Sequence, residues 1–337
     1  MKTVPIASPR RYSAQRGSAL IMVIFLITVL YMIVHAMHEI VTKDVNLAIA
    51  QQQAFRARQV AEMGINWAMN PAVKEYDRDI LDQTLEDGST FSAKIRGEGG
   101  RMNINAMLQQ GEASRPVLTK LFSLWGIEDN QEADDLFNHM LDWTDADSAS
   151  HHNGWEKDDY VTKYGENTPY PFNRPFYNLE EMLLVPGFDR IVANLPDWRD
   201  YFTIYSAGKV DINEAEAKVL AAVALAALGR SDPARDWEDK LLDAQELVKD
   251  RWGPDGFEDT EDDIKLQSAE EMNAALQSLG LDPTDPVVAA IFGINDQTTH
   301  IECVATVGEY RKRVVLIVRG RTGQPQILSR EEVPLFQ

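Results

Sequence analysis

The chain has 337 residues, of which 33 are basic and 53 acidic, and its formal net charge is −20. Its content of 44% hydrophobic and 9% aromatic residues excludes a disordered chain, and the length is enough for roughly two or three domains with buried cores. The negative charge argues against nucleic acid and anionic lipid as partners. The single cysteine, Cys303, excludes an intrachain disulfide.

The first feature along the chain is a basic leader followed by an apolar run. Residues 1–17 contain basic but no acidic residues, and the segment Ser18–Met37 contains no charged residue. As a helix this segment is about 30 Å long, which is enough to cross the core of a bilayer. Because basic flanks stay in the cytoplasm, we expect a single-pass anchor with a cytoplasmic N-terminus and everything after about residue 40 outside.

The junction Gly17-Ser18 lies before the apolar run, whereas a removable signal peptide would carry its small-residue cleavage site after the run. The helical pattern also continues without proline until Pro71. This arrangement resembles the N-terminal helix of type IV pilins and their relatives. The resemblance implies that prepilin peptidase cuts between Gly17 and Ser18 and leaves the apolar helix on the mature protein. An uncleaved single anchor is the alternative.

After the long helix, the pattern predicts two strands and then a mainly helical region. The strands Ser89–Arg96 and Arg101–Ala106 are predicted from the alternation of apolar and polar residues. Helices are predicted over 117–125, 133–143 and 178–184, and a polar, aromatic-rich loop over 144–177. The third helix has capping-box spacing from Asn178 to Glu181 and ends at the turn Val185-Pro186-Gly187-Phe188.

The C-terminal part returns to strands. A short strand is predicted at Val210–Ile212, and capping-box spacing from Asn213 to Glu216 predicts a helix over 215–228. Further along, the pattern predicts a charged, partly helical stretch over 230–270, a helix over 270–279, a β-hairpin of 299–307 with 310–319, and a strand near 325–330. Strands on both sides of a helical region predict an α+β fold: a pilin-like long N-terminal helix and a small antiparallel sheet, interrupted by a large all-helical insertion.

Four motifs in this order resemble the minor pseudopilin K of type II secretion systems, also called general secretion pathway protein K. They are Arg101–Asn105, Leu141–Asp147, Asn178–Phe188 and Val210–Ala215. The resemblance implies an insertion built from sterile-alpha-motif-like units. It also implies a subunit of the inner membrane that lies at the tip of the periplasmic pseudopilus, initiates or caps its assembly, and supports protein export. The implied partners are the minor pseudopilins I and J and other pseudopilins.

The fifth residue of the expected mature helix departs from the usual pilin pattern. Most pilin-like proteins carry glutamate there, and the fifth residue counted from Ser18 is Met22. In the family, this glutamate is thought to pair with the N-terminal amine of a neighbouring subunit, and the K-type minor pseudopilin lacks it. The resemblance therefore implies that this subunit has no carboxylate to offer to a subunit above it.

The predicted domain organisation follows from these elements. It consists of a leader (1–17), the membrane part of the helix (18–38), the pilin helix with its first strands (39–110), a helical insertion (111–298, with subdomains of about 111–208 and 209–298), and a C-terminal hairpin and strand that complete the sheet (299–337).

Acidic residues are concentrated where the second predicted helix gives way to the long loop. They are Asp142, Asp145, Asp147, Glu156, Asp158 and Asp159. Hard cations such as Ca²⁺ are held by six to eight oxygen ligands, which loops of this kind supply. Family members bind calcium in this region, so the resemblance implies one or two calcium ions, the second put in doubt by Lys157, where the family tends to have an acid. A solvated acidic loop is the alternative, and the adjacent His151 and His152 are a poor pair of zinc ligands.

Two other classes of function find little support. The turn Val185–Phe188 resembles the hairpin of helix-hairpin-helix DNA-binding units, but Arg190 is the only nearby base and the domain is strongly acidic. The sequence has no nucleophile-elbow, zinc-protease or phosphate-loop motif, so no catalytic residues and no enzymatic activity are predicted. The main alternative to the secretion subunit is a type IV pilus minor pilin with an adhesive or tip domain.

Overall fold

The protein has an α+β fold, in which a helical block interrupts a five-stranded antiparallel sheet packed on one long helix. A computed structural model describes residues 16–229 and 236–335. The helices are α1 (Arg16–Met69), α2 (Arg78–Leu81), α3 (Ile104–Gln109), α4 (Arg115–Leu124), α5 (Asn130–Thr144), α6 (Lys157–Tyr164), α7 (Phe188–Asn194), α8 (Ala217–Ala227), α9 (Trp237–Arg251), α10 (Ala269–Ser278) and α11 (Pro286–Ile291). The strands are β1 (Asp82–Thr84), β2 (Thr90–Gly97), β3 (Met102–Asn103), β4 (Phe202–Thr203), β5 (Val210–Asp211), β6 (Phe292–Gly293), β7 (Thr298–Val307), β8 (Tyr310–Arg319) and β9 (Gln326–Leu335).

The main sheet has the strand order β1-β2-β7-β8-β9. Gly97, at the end of β2, pairs with Thr299, at the start of β7, so the chain leaves the sheet and returns to it at the same place. This pairing confirms the predicted fold class. The predicted C-terminal hairpin is also confirmed, and the predicted last strand is longer than expected, reaching Leu335.

The C-terminal part of α1 packs on one face of this sheet. The buried face of α1 includes Val60, Ala61, Ile65 and Ala68, and it meets Phe91, Ile95, Ile301, Cys303, Val314 and Leu316 on the strands. Cys303 is a buried free thiol in this core, and burial raises its pKa to about 12, so the thiolate is strongly disfavoured. At Gly64 the helix approaches β7 so closely that an added Cβ would lie 2.4 Å from Cys303 Sγ and 2.8 Å from the ring of Phe91.

The C-terminal end of α1 is closed by Arg321, which follows β8. The last carbonyls of any helix lack partners within that helix. The guanidinium of Arg321 donates to the carbonyl oxygens of Ala68, Asn70 and Val73 at 2.8–3.2 Å, and its side chain is buried. This contact fixes the end of α1 against the same end of the sheet from which the helical block extends.

The helical block has one continuous core that runs from Met102 to Phe292. Two short parallel pairs, β3 with β4 and β5 with β6, connect distant parts of the block. Residues placed on either side of the predicted boundary at 208/209 therefore share one core. That core also takes in residues 102–108, which the sequence analysis placed with the pilin strands.

The sequence predictions for residues 101–106 and for Asn213, both in this block, are wrong. Of the predicted strand Arg101–Ala106, only Met102 and Asn103 pair, and they pair with β4. The Asn103 side chain accepts a hydrogen bond from Ala106 N at 3.1 Å and so starts α3 as an N-cap.

The predicted capping box at Asn213 does not form. The Asn213 amide instead donates to Leu266 O at 3.0 Å and accepts from Leu266 N at 2.8 Å, and α8 begins only at Ala217. Hydrogen bonds to the backbone of Leu266, which is distant in sequence, have replaced the predicted local cap.

The N-terminal part of α1 extends away from these cores. Within residues 16–229 and 236–335, the helix Ala19–Met69 is the one that is long and apolar enough to cross a membrane. Its large apolar side chains from Leu20 to Leu47, apart from the partly buried Val29, are exposed in the isolated chain. This agrees with the predicted single N-terminal anchor.

Substitution of Gly64 tests the packing of α1 on the sheet. We expect Gly64→Ala to destabilise the protein by about 1–3 kcal/mol, since the added methyl group overpacks the contact with Cys303 and Phe91. Urea unfolding of residues 45–337 measures this. The matched control Asn66→Ala, at an exposed position of the same helix, should change stability by less than about 0.5 kcal/mol. Equal stability of both variants would contradict the close packing.

Candidate functional site

The acidic loop connects the end of α5 to the start of α6. Asp142 lies in the last turn of α5, and Asp145 is the residue that ends this helix. Asp147 follows in the loop, and Glu156 directly precedes α6. The loop therefore brings carboxylates from two helix ends to one place.

Two overlapping groups of side chains could hold a cation. In one group, carboxylate oxygens of Asp145, Asp147 and Glu156 all lie within 4.8 Å of one another. In the other, the same 4.8 Å limit holds among carboxylate oxygens of Asp142 and Asp145 and a ring nitrogen of His151. Oxygen ligands at about 2.3–2.6 Å from one ion are separated by distances of this order.

Asp142 is the fully buried member of these groups. It accepts hydrogen bonds from His151 N at 3.1 Å and from Ser150 Oγ at 3.4 Å, and His151 Nδ1 also contacts its carboxylate. A Cβ on Gly154 would lie 1.9 Å from Asp142 Oδ2, so only glycine permits this close approach of the loop. Asp142 therefore organises the loop, and His151 is a contact that the sequence analysis did not predict.

Several buried oxygens of the cluster have no partner within the described part of the chain. They are Asp145 Oδ1, both carboxylate oxygens of Glu156, and Asn173 Oδ1. Asn173 is held at the cluster by the hydrogen bond from its Nδ2 to Asp147 O at 2.6 Å. Buried polar groups are ordinarily paired, and unpaired ones need an explanation such as an ion. This donor set consists of oxygen atoms and fits a hard cation such as Ca²⁺.

The electrostatics of the cluster also favour a cation. Burial, together with the nearby carboxylates of Asp142 and Asp145, raises the pKa of Glu156 to about 7. The pKa of Asp145 is likewise raised by burial and by Asp147 and Asp142. In each case the negatively charged form is disfavoured because it is desolvated and close to like charge.

Asp158 and Asp159, which the sequence analysis placed in the metal set, lie outside both groups. They belong to the first turn of α6, a helix that the sequence analysis missed. The Asp159 carboxylate accepts a hydrogen bond from Glu156 N at 3.1 Å and therefore caps this helix. The neighbouring Lys157 donates from Nζ to the carbonyls of Thr168 and Tyr170.

An aromatic cluster forms the wall behind the acidic loop. Trp143 is fully buried and contacts Tyr160, Tyr170, Phe172 and Phe176, with ring centroids 5.3–6.0 Å apart. Trp155 packs edge-on against Tyr160. The cluster includes residues beside both ends of the acidic loop, since Trp143 lies directly after Asp142 and Trp155 directly before Glu156.

The hairpin Val185–Phe188 packs inside the helical block. Gly187 has a φ of +92°, and Phe188 is fully buried. Arg190, the nearby base, is ion-paired with Glu132 of α5. These contacts give the hairpin a packing role, and the charge of Arg190 is balanced by the Glu132 carboxylate.

The predicted processing site lies at the very start of α1. Residues 1–15 of the leader are outside the described residues, and Gly17 and Ser18 fall within the first turn of the helix. Met22 is exposed on this helix, with 68% of its surface accessible.

Comparison with known proteins adds to this geometry. Residues 100–198 match the family described as Type II secretion system (T2SS), protein K. The fold resembles a chain in the crystal structure of the GspK–GspI–GspJ complex from the enterotoxigenic Escherichia coli type 2 secretion system. The TM-score is 0.55 at 12% identity, and the match covers 86% of this chain and 99% of that chain. No curated protein matches the chain by sequence.

The fold and the acidic insertion together define a pilin-like protein with one N-terminal apolar helix and a large helical insertion. The family match confirms the resemblance to protein K of type II secretion systems over residues 100–198. The structural likeness confirms the fold.

Substitution of Glu156 tests the electrostatics of the metal-free cluster. The pKa of the Glu156 carboxyl is about 7 in the folded state, whereas its ordinary value is 4.5. Because the folded state disfavours the ionised carboxylate, this group lowers the free energy of unfolding as pH rises from 4.5 to about 7. We expect Glu156→Gln in chelator to be more stable than the unmodified chain by roughly 1–3 kcal/mol at pH 8 and equal to it near pH 4.

Thermal unfolding at several pH values measures this difference. Exposed Glu166→Gln is the matched control and should show no such pH dependence. A constant difference between Glu156→Gln and the unmodified chain across pH 4–8 would contradict the account.

Proposed function

We propose that this chain is a non-enzymatic minor pseudopilin that lies at the tip of the type II secretion pseudopilus and initiates or caps its assembly. The observation that carries the proposal is the family match of residues 100–198, which lie in the block inserted between β2 and β7. A pilin-like helix and sheet supply the part that enters a fibre. The inserted block is the part that ordinary fibre subunits do not need.

The position of the block supports a place at the tip. Gln53 of α1 lies beside Gly308, at the β7–β8 turn, whereas Arg321 joins the opposite end of the sheet to the end of α1. The block leaves the sheet at Gly97 and returns near Thr299, at that second end. It is therefore attached at the sheet end that is distal to the apolar part of α1. A bulky unit there, with Met22 in place of a carboxylate, would prevent another subunit from adding above it.

The proposed partners are the minor pseudopilins I and J, together with other pseudopilins. The related chain described above was crystallised in a complex with GspI and GspJ. We propose that α1 spans the inner membrane, with the basic leader in the cytoplasm and the sheet and helical block in the periplasm. Prepilin peptidase would cut between Gly17 and Ser18.

We also propose that the acidic loop binds one calcium ion. Asp145, Asp147 and Glu156 would hold it, because their carboxylate oxygens converge and those of Glu156, with Asp145 Oδ1, are buried without partners. The side-chain carbonyl of Asn173, which is also buried without a partner, would be a further ligand. A bound Ca²⁺ would neutralise the carboxylates and so brace the loop. A second ion is disfavoured, since the Lys157 ammonium already pairs with the carbonyl oxygens of Thr168 and Tyr170.

Calcium titration tests this site. We expect one binding event in isothermal titration of residues 45–337, and a stabilisation of about 2.7 kcal/mol when free calcium reaches about one hundred times Kd. Glu156→Gln should lose both effects, whereas the control Glu166→Gln should keep them. If the unmodified chain shows neither a heat of binding nor a thermal shift with calcium, the calcium site is ruled out.

Substitution at the processing junction tests the pilin-type anchor. We expect Gly17→Leu to block cleavage, because the peptidase must accommodate a small residue before Ser18, and to leave the chain longer by the leader. Met22→Glu should still be cleaved. Mass spectrometry of the protein from membranes distinguishes these forms. If Gly17→Leu were cleaved at the same place, the proposed processing would be wrong.

Co-purification separates a secretion subunit from a type IV pilus minor pilin. Residues 45–337 should retain the I- and J-type pseudopilins encoded in the same genome when the three periplasmic parts are co-expressed. Major pilin from sheared pilus fibres should not be retained. Retention of pilin in place of the pseudopilins would favour the alternative.

A further inference from the structure

A loop of the helical block reaches across to the pilin-like part of the chain. The loop, here called the strap, consists of residues 253–265 and connects α9 to α10. The pilin part is defined here as residues 16–97 and 298–335, which contain α1, α2 and the main sheet. A cleft of about 1210 Å³ is lined by residues of the strap, of α9 and of the outer face of β2. The strap therefore lies between two parts of the molecule that have separate hydrophobic cores.

The strap is held in shape by its own hydrogen bonds. Ile264 N donates to Arg251 O at 2.7 Å and closes the loop at its base. Asp255 N donates to the Asp262 carboxylate at 3.1 Å, which joins the two limbs of the loop. Gly253 has a φ of +69°, and a Cβ there would lie 2.3 Å from Asp262 O, so glycine is needed at this close approach. The shape of the strap therefore does not depend on contact with the pilin part.

The strap has no buried apolar anchor. None of residues 253–265 is buried, and none belongs to either hydrophobic core. The large apolar side chains of the strap, Phe257 and Ile264, are 70% and 53% exposed. Burial of apolar surface is the main force that fixes one part of a chain on another, and segments with few buried apolar contacts open most readily. Lifting the strap from the pilin part would therefore expose little apolar surface.

Ion pairs join the strap to the pilin part. They are Arg78 with Asp259, Arg96 with Glu258 at 3.8 Å, and Glu75 with Lys265 at 3.5 Å. The side chains of these pairs are 18–55% accessible to solvent. Exposed ion pairs are individually weak, and salt screens them. The link across the cleft is therefore electrostatic and reversible.

We propose that the strap is a lid, which lifts from the pilin part as a preformed unit and is held closed by these three ion pairs. Lifting widens the cleft and releases Arg78 and Arg96 from their carboxylate partners. The chain thus has a closed and an open form, and the ionic strength of the surrounding solution sets the balance between them.

The base of the strap is the pivot of this motion. Leu266, which directly follows the strap, exchanges two hydrogen bonds with the Asn213 side chain at 2.8 and 3.0 Å. Lys265 pairs with Glu214 of the block at 3.0 Å, in addition to its pair with Glu75. These contacts keep the end of the strap on the block when its tip lifts. The pairing of β2 with β7 does not involve the strap, so the block itself stays in place.

Distances between spin labels test the lid in the full-length chain in detergent. One pair of labels is placed on Phe257→Cys, in the strap, and Thr84→Cys, on β1. A second pair, on Thr84→Cys and Leu242→Cys, reports the position of α9, and the chain's own Cys303 is buried. We expect the 84–257 distances to include a closed and a longer, open population. The open population should grow from about 0.05 M to about 1 M NaCl, where the Debye length falls to about 3 Å, while the 84–242 distance stays constant.

Substitution tests the ion pairs themselves. Glu258→Gln with Asp259→Asn should raise the open-to-closed ratio at low salt by about three- to thirtyfold, as expected for the loss of two exposed ion pairs. Asparagine suits position 259, where φ is +62°. The matched control Glu261→Gln with Glu270→Gln removes the same charge from exposed acids and should leave the ratio unchanged. Glu258→Arg should open the lid, and adding Arg96→Glu should close it again.

Two outcomes would overturn the proposal. A single 84–257 distance that changes neither with salt nor in Glu258→Gln with Asp259→Asn would show that the strap is a fixed brace. Equal changes in the 84–257 and 84–242 distances would show that the whole block moves and that the strap is not a separate lid.

Discussion

The pairing of β2 with β7 is the constraint on which the rest of the architecture depends. Eight residue pairs, from Thr90 with Thr306 to Gly97 with Thr299, join strands that are separated in sequence by the whole helical block. They hold the two ends of the block together and complete the sheet that packs on α1. The fit at the junction is close, since Gly97 N donates to Glu214 at 2.9 Å and a Cβ on Gly97 would lie 2.2 Å from the Glu214 side chain. The direction in which the block extends from the sheet is therefore fixed by backbone pairing and glycine contacts, and it points away from the apolar part of α1.

Within the block, the acidic loop combines two requirements that conflict in the absence of a cation. The loop brings several carboxylates together where they are partly desolvated, and this disfavours the charged forms of Asp145 and Glu156. A purely structural loop would gain stability by replacing Glu156 with a neutral residue. The convergence of unpaired oxygens is better explained by a ligand that supplies positive charge. Such a ligand would join the end of α5 to the start of α6 and hold the two helices in one arrangement.

Much of the fold could be predicted from the sequence, because its main signals are local. The apolar run before residue 38, the alternation in β2, β7 and β8, and the apolar periodicity of α4 and α5 each predict an element without reference to the rest of the chain. The errors lie where a distant partner decides the outcome. Asn213 has the spacing of a capping residue but pairs with Leu266, and Met102 pairs with Phe202. At the site, the structure brings Asp142, Asp145 and Asp147 of α5 and its loop together in two overlapping groups, with Glu156 and His151. The spacing of Glu156 and Asp159, and of Tyr160 and Tyr164, could have revealed α6, which moves Asp158 and Asp159 away from the cluster. The contact of His151 with Asp142 depends on the path of the loop, and no local signal reveals it.

The central claim is that a pilin-like anchor carries the helical block to the membrane-distal end of an assembly. Electron cryomicroscopy of the full-length chain assembled in lipid nanodiscs with its I- and J-type partners tests this claim most directly. The account predicts three parallel N-terminal helices in the membrane and the helical block at the far end, with no subunit above it. A block that lies at the side of the assembly, with other subunits stacked beyond it, would contradict the account.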